Sequence, residues 1–578
     1  EFLTSGIGPT TGIKGTLQNI SGVFMSLKNA LEKVGMDYSD LAEIRINEAA
    51  PVIGDVAMET ISETVITEST VIGHNPSTPG GTGIGVGTSV LVTELSKIKE
   101  AKDVIVIVPD KVGFAQAATL MNQAKENINI TGAIVQADDG VLLNNRLDKK
   151  IPIIDEVAMI EKVPLGMTCA IEVAQQGSIL STLSNPYGIA TVFHLNSEET
   201  KRVVPIARSL IGARSGVVIK TPTGDVKERS IKAGTINIIG LKKEVDVDVD
   251  EGADKIMEAI SVIQDIDDIQ GETGTNAGNM LNNVRRVMAG LTNKEPKDIK
   301  IQDLLAVDTF NPQKVKGGLA NEFSLESAVG IAAMVKADRL QMKMIAEELT
   351  DRLKIPVYVG GVEADMAIKG ALTTPGTNVP LAIVDMGAGS TDASIKDKEG
   401  NVKLVHLAGA GNMVTLLIQS ELGLEDFNTA EDIKKYSLAK VESLFHIRHE
   451  DGTVQFFEKP LDPNVFAKVV LVKEEGELVP IEGQDSMEKI KMVRTNAKKK
   501  VFVTNAIRSL AKVSPTGNVR DIEFVVLVGG SALDFEVPTL VTDALSQYNI
   551  VAGRGNIRGC EGPRNAVATG LAMSCADV

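Results

Sequence analysis

The apolar positions of this chain follow two rhythms. Ile20, Val23, Phe24, Leu27, Leu31 and Val34 recur at three- and four-residue intervals, which predicts an amphipathic helix over 16–34. Further on the runs are short and unbroken. DVIVIVP, TGAIVQ, TVFHL and SGVVIKT, all between residues 103 and 221, read as buried strands, with helices expected at 113–126 and 197–211. Strands alternating with helices predict a layered α/β domain. HNPSTPGGTGIGVG (74–87) is rich in turn formers and predicts a linker. Residues 225–250 predict two or three exposed strands. Residues 252–353 read as mostly helical, with the longest helix running from an N-cap at Ser324 to Leu353. The α/β alternation returns at IPVYVGG (355–361) and continues to the C-terminus, with an insertion of helices and strands near 429–480.

One of the later apolar runs leads into polar chemistry. LAIVDMGAGSTDASI (381–395) is a buried strand ending in Asp385, then a loop of glycines and hydroxyls, then Asp392. Gly387 and Gly389 let the backbone turn and approach a partner closely. Ser390 and Thr391 add hydroxyl donors, and such a loop can wrap phosphate oxygens. Asp385 would repel phosphate but suits magnesium or a magnesium-bound water. Asp392 flanks the loop on its other side, with a cap on the hairpin as its plainer reading.

Composition narrows the field of partners. A formal net charge of −17 argues against nucleic acid, and the chain has no Trp and 3% aromatic residues, so base stacking is not a theme. VIVIV and FVVLV are strand-length and far short of a membrane span. Cys169, Cys560 and Cys575 form no CxxC pair or disulfide framework, which suits a reducing compartment. His446 and His449 lack the further ligands that zinc requires.

Three more stretches stand in a telling order around 381–395. GGVEADMAIKGAL (360–372) precedes it; FVVLVGGSALDFEVPTLV (524–541) and GPRNAVATGLAMS (562–574) follow. Together they resemble the two connecting helices and the adenosine loop of the actin and heat-shock-chaperone ATPase superfamily. The resemblance implies a multidomain α/β fold with an actin-like (ribonuclease H-like) ATPase core. It implies ATP or ADP between two lobes, held by Gly387, Gly389, Ser390 and Thr391 on one side and Gly529, Gly530 and Ser531 on the other. It implies Asp385 at a magnesium ion and Glu363 positioning the attacking water. Asn496 and Lys500, in NAKKKVFVTNAIR (496–508), are candidates beside the adenine, against the plainer reading of a solvated basic face. The superfamily's first phosphate hairpin is not found before residue 16, so phosphate binding by these residues is expected to be incomplete.

Longer blocks narrow the resemblance. RINEAAPVIGDVAMETISETVITESTVIGHNPSTPGG (45–81), STLSNPYGIATVF (181–193), IQDLLAVDT (301–309), AKVESLFHIRHEDGTVQFF (439–457) and VAGRGNIRGCEGPRNAVATGL (551–571) resemble the large subunit of the diol and glycerol dehydratase-reactivating factors. That family implies an ATP-dependent chaperone with slow hydrolysis, which frees damaged cobalamin from an inactivated adenosylcobalamin-dependent dehydratase. It implies a small subunit, in an assembly of two large and two small chains, and contact with the dehydratase through the latter's β subunit. It implies a swivelling domain in which Thr78, Asp138 and Asp155 gather around magnesium or calcium beside the small subunit. The expected layout is an ATPase segment at 1–80, the swivelling domain at 81–224, a linker module at 225–300 and the remaining ATPase domain at 301–578. A cytoplasmic location follows, with association with a bacterial microcompartment. The competing readings are an actin-fold kinase for a small metabolite and an actin-like filament protein.

Overall fold

The computed structural model describes residues 2–574 except 50, 59, 63–64, 67–70, 75–79, 176–177, 212, 221–225, 228–229, 264, 293, 315–322, 337–338, 378–380, 397–401 and 484. Its centre is a five-stranded mixed sheet. The spatial order is Val402–Ala408, Ser390–Lys396, Ala382–Met386, Phe524–Val528, Val551–Arg554. The first three strands are antiparallel, and Ala382–Met386, Phe524–Val528 and Val551–Arg554 are parallel. Numbered along the chain, that order is 3-2-1-4-5: a hairpin meander that then crosses over into parallel strands. Ala382, Ile383 and Val384 are fully or almost fully buried, as expected of a run apolar on both faces.

A second, smaller unit carries the N-terminal residues. Helix Ile20–Glu32 packs on helix Arg339–Leu353 through Ile20, Met342, Ile345 and Leu349, and strand Ile44–Glu48 lies parallel to Val357–Val362. Two helices join this unit to the central sheet, Glu363–Ala371 and Ala566–Ser574. They cross where side chains are absent. A Cβ on Gly370 would fall 1.8 Å from the Ala566 carbonyl oxygen, and one on Gly570 would fall 2.0 Å from that of Met366.

The predicted α/β domain is a seven-stranded sheet flanked by helices. Strands Gly83–Leu91, Lys102–Val108, Ile128–Val135 and Ile153–Ile154 run parallel, and Thr168–Val173, Ser215–Lys220 and Val71–His74 extend the sheet antiparallel. Two readings change here. The glycine-rich end of 74–87 belongs to the strand Gly83–Leu91, not to a linker; a Cβ on Gly85 would meet the Thr131 carbonyl oxygen at 2.0 Å, so glycine is needed for strand packing. TVFHL is helical from Pro186 to Phe193 instead of extended: Asn185 caps the helix by accepting from the Tyr187 N–H, Pro186 starts it and His194 ends it at φ 52°.

The largest departure lies at 252–353. This stretch holds helices Ala253–Val262, Asn276–Thr292 and Arg339–Leu353, but also strands Ile266–Gly271, Ile301–Lys314 and Phe323–Val335. The long helix expected from Ser324 is a strand as far as Val335. It pairs with Ile301–Lys314 on one side and Val52–Met58 on the other. Both faces of this ladder are buried. Leu304, Ala306, Ile331 and Ala333 point into a core shared with strands Thr235–Gly240 and Ile266–Gly271, whereas Leu305, Val307, Ala332 and Met334 point into the core of the central sheet. The hairpin that follows residue 300 thus contributes to both cores. The insertion near 429–480 is a helix, Phe427–Lys435, followed by a separate five-stranded antiparallel sheet spanning Ser437–Pro480.

Candidate functional site

The turn after Ala382–Met386 is closed by backbone bonds. Gly387 N–H donates to the Ser390 carbonyl at 3.1 Å, Gly409 N–H to Gly389 at 2.9 Å and Asn412 N–H to Ala388 at 2.7 Å. The loop from Phe524–Val528 comes to meet it. Gly529 holds φ +93°, and a Cβ there would fall 2.3 Å from Asp385 Oδ1, so its backbone lies directly against that carboxylate. Ser531 Oγ donates to the Gly387 carbonyl at 2.9 Å and joins the two loops. A Cβ on Gly530 meets nothing within 4 Å, which leaves open space at that backbone. Gly387, Gly389, Ser390 and Thr391 thus adjoin Gly529, Gly530 and Ser531. The hydroxyls take a different part from the one expected. Thr391 Oγ1 donates to the Gly409 carbonyl at 2.9 Å and Ser390 Oγ to Asp392 Oδ2 at 3.3 Å, so both fasten the loop internally.

Charge collects beside the turn. Asp385 faces Asp392 across the hairpin, and Asp392 faces His406 across the next strand pair. His406 Nδ1 lies 3.0 Å from Asp392 Oδ1. Glu363 opens the first connecting helix, and Lys14 Nζ donates to both of its oxygens at 2.6 and 2.7 Å. Burial and the nearby charges of Glu363 and Asp392 push the Asp385 carboxyl up to about 7, against the opposing pull of Lys14. Burial also raises Glu363, with Lys14 acting in the opposite direction. Burial works against the charged forms of Lys14 and His406. Glu363 and Asp392 outweigh it for Lys14, and Asp392 outweighs it for His406, so both hold their protons above the usual range. Three carboxylates and two nitrogen bases therefore share one cluster. Lys14 and His406 carried no signal in the sequence. A lysine in a glycine-rich segment has no period, and His406 meets Asp392 only through strand pairing.

The adenine-side candidates fare differently. Lys500 Nζ donates to the Asp308 carbonyl at 2.6 Å and lies 3.7 Å from Glu421, so the ammonium has partners of its own. Asn496 lines a cavity of about 810 Å³ with Thr495, Lys491 and His449, between helix Met487–Lys498 and the insertion's hairpin. The basic helix is solvated on one side, where Asn496 and Lys499 are exposed, and buried on the other. Arg494 and Lys498 are fully buried; Arg494 pairs with Glu450 and Glu536, and Lys498 with Asp534 and Glu536. These pairs fasten the chain just after Ser531 to the helix.

In the seven-stranded domain, Asp155 is completely buried. Its Oδ2 accepts from the Gly140 N–H at 2.8 Å, and its Oδ1 has no hydrogen-bond partner. Burial, reinforced by Asp138 and Glu156, raises its carboxyl to about 7. Asp138 and Asp155 are thus close enough to repel. Thr78 lies outside the described residues, and so does Cys575. Cys169 is buried and Cys560 exposed. His449 contacts Gln455, and His446 contacts Ser443 and Glu442. Among the described residues no group of three or more His, Cys, Asp or Glu is placed to hold a metal, and none of their helices is long and apolar enough to cross a membrane.

The 3-2-1-4-5 sheet, the two crossing helices and the paired glycine loops define an actin-like fold. Comparison with known proteins narrows that class. Residues 247–575 match the family model described as diol dehydratase reactivase ATPase-like domain, and residues 66–226 match the DD-reactivating factor swiveling domain. The chain is 60% identical over 571 residues to the propanediol dehydratase-reactivating factor large subunit of Citrobacter freundii, covering 99% of this chain and 93% of that one. The same figures hold for the diol dehydratase-reactivating factor large subunit of Klebsiella michiganensis. Among solved structures it is similar to glycerol dehydratase reactivase, with 60% identity, a TM-score of 0.74 and coverage of 100% of this chain and 96% of that one. It is also similar to diol dehydratase-reactivating factor in nucleotide-free form, with 59% identity, a TM-score of 0.76 and the same coverage. This chain belongs to the family of large subunits of dehydratase-reactivating factors.

Proposed function

We propose that this chain is the nucleotide-driven subunit of a factor that restores an inactivated adenosylcobalamin-dependent diol or glycerol dehydratase. The observation that carries the reading is the match at 60% identity to reactivating-factor large subunits over 99% of the chain, with the nucleotide cleft and the swivelling domain both included. In this reading ATP lies between the lobes at Gly387–Thr391 and Gly529–Ser531. Asp385 and its neighbours suit magnesium, because a carboxylate raised by burial and by other carboxylates gains most from a hard cation. Lys14, now held by Glu363, would neutralise phosphate charge, and Glu363 would position water. Hydrolysis is slow, since the cleft serves to bias an open–closed equilibrium.

The partner is a small subunit docked on the swivelling domain, in an assembly of two large and two small chains. That subunit is exchanged for the β subunit of the dehydratase, which opens the stalled enzyme and releases damaged cobalamin. Asp155 and Asp138 suit a magnesium or calcium ion at that interface, with the unpartnered Asp155 Oδ1 as the supporting observation and Thr78 as the expected third donor. The factor works in the cytoplasm, in association with a bacterial microcompartment.

The test supplies the small subunit, ATP, magnesium and free adenosylcobalamin to a glycerol-inactivated dehydratase. Recovery of dehydratase turnover that needs all components supports the reading. No recovery with either diol or glycerol dehydratase overturns it.

A further inference from the structure

The row Asp385, Asp392, His406 crosses three neighbouring strands, and its last member has no part in the reading above. Directly paired residues of antiparallel strands project to the same face. The register pairs Asp385 with Asp392 and Asp392 with His406, so all three side chains stand on one face of the central sheet. Asp392 is 3% exposed and is held at both oxygens, by His406 Nδ1 on Oδ1 and Ser390 Oγ on Oδ2. A carboxylate offers about four lone-pair sites, so both oxygens keep capacity for another donor. Asp392 also acts electrostatically on Lys14, Glu363 and Asp385, which places it within the cluster and not behind it.

We propose that His406 is a positioning residue for ATP hydrolysis, holding Asp392 as a fixed acceptor that orients a donor in the cleft, the attacking water being the donor that hydrolysis requires. The proposal rests on the reading of the cleft as an ATPase site. A buried carboxylate keeps one orientation only where donors hold its oxygens. Ser390 fixes one oxygen, but its hydroxyl can turn and accept as well as donate. The imidazole ring is stiffer, and its position on the adjoining strand is set by the sheet. Glu363, on the connecting helix, would approach the same water from the other lobe, so lobe closure would bring together an acceptor fixed to the sheet and one that travels with the hinge.

The experiment uses the complete large subunit assembled with its small subunit. His406→Ala is expected to lower kcat for ATP hydrolysis roughly ten- to a hundredfold, the range for a hydrogen bond to a charged group. KM for ATP and the Kd for ADP are expected to stay within about twofold, because the loss falls on the transition state. His406→Asn places an amide N–H near the Nδ1 position and should recover most of the rate; a residue needed only for packing would show no such rescue. A readout independent of turnover is imidazole nitrogen NMR on the nucleotide-free protein. The chain has five histidines, so the His406 signal can be assigned by its loss in His406→Asn. It is expected to show a hydrogen-bonded Nδ1–H that shifts in Asp392→Asn. An unchanged kcat in His406→Ala, with wild type active, overturns the proposal and leaves the ATPase reading standing. The proposal also fails if His406→Asn is as slow as His406→Ala while both melt earlier than wild type. Absence of ATP hydrolysis by the wild-type assembly overturns the ATPase reading and the proposal together.

Discussion

Replacing Asp385 with Asn should make the nucleotide-free protein more stable while removing its response to nucleotide. The carboxyl is 9% exposed, lies against the Gly529 backbone and shares its surroundings with Glu363 and Asp392. Its proton affinity rises from the ordinary 3.8 to about 7 in the fold. A carboxyl raised in this way makes the folded state the tighter proton binder, so ionisation costs stability. The cost is absent below about pH 4, grows between the two values and is complete above about pH 7. A rise from 3.8 to about 7 corresponds to about 4 kcal/mol, a ceiling that the buried Asn amide reduces to something on the order of 2–4 kcal/mol. For the transition of the ATPase lobes this is a rise in Tm of roughly 4–10 °C at pH 8. The assay is differential scanning calorimetry of both proteins from pH 4 to pH 8, without nucleotide and then with magnesium and ATP. The gain should shrink toward pH 4, and with ligand the order should reverse, since only wild type gains binding free energy. A variant that is less stable at pH 8, or a gain that does not change with pH, would refute the reasoning.

Lys14→Met leaves Glu363 without its lysine partner and removes one positive charge from the cluster; ATP binding by calorimetry should weaken by about tenfold, with a smaller change for ADP. Gly570→Val sets side-chain atoms where even a Cβ lies 2.0 Å from the Met366 carbonyl oxygen; the helices must separate, and the melting transition should fall by at least several degrees. Asp138→Ala with Asp155→Ala should weaken retention of the small subunit in a pull-down while ADP binding persists; normal retention would remove the ion from that interface.

The parts of this molecule legible in its sequence are those whose signals are local. The phosphate-loop hairpin could be read from LAIVDMGAGSTDASI because strand, turn and returning strand lie within fifteen residues of chain. The strand Phe323–Val335 was hidden for the opposite reason. Its partners are 52–58 and 301–314, and its small apolar residues are buried on both faces, so neither a period of two nor a turn marks it out. The first residues of the strand Gly83–Leu91 read as the end of a linker because glycine is the residue of turns; here Gly85 admits the Thr131 carbonyl. In the site, Asp385 and Glu363 were found from motif positions. His406 became visible only with the register and Lys14 only through its contact with Glu363, and the partners of Lys500, Asp308 and Glu421, are far away in sequence.

The swivelling domain enters and leaves the rest of the chain through paired strands. Thr60–Ser62 pairs with Ser230–Lys232, Val65–Ile66 with Val226–Lys227, and Val71–His74 with Ser215–Lys220. A domain with its two ends side by side is a cassette: it can be cut out or exchanged for another without moving the ends of its host. A two-stranded ribbon also has unequal compliance. The hydrogen bonds across it resist spreading of the strands within their plane, whereas bending out of that plane or twisting along the axis breaks none of them. Strand pairs of this kind at the entry and exit would let the cassette turn as a whole. Grafting the region between residues 60 and 232 onto a relative that serves a different dehydratase should therefore carry partner choice with it and leave the nucleotide cycle of the host unchanged.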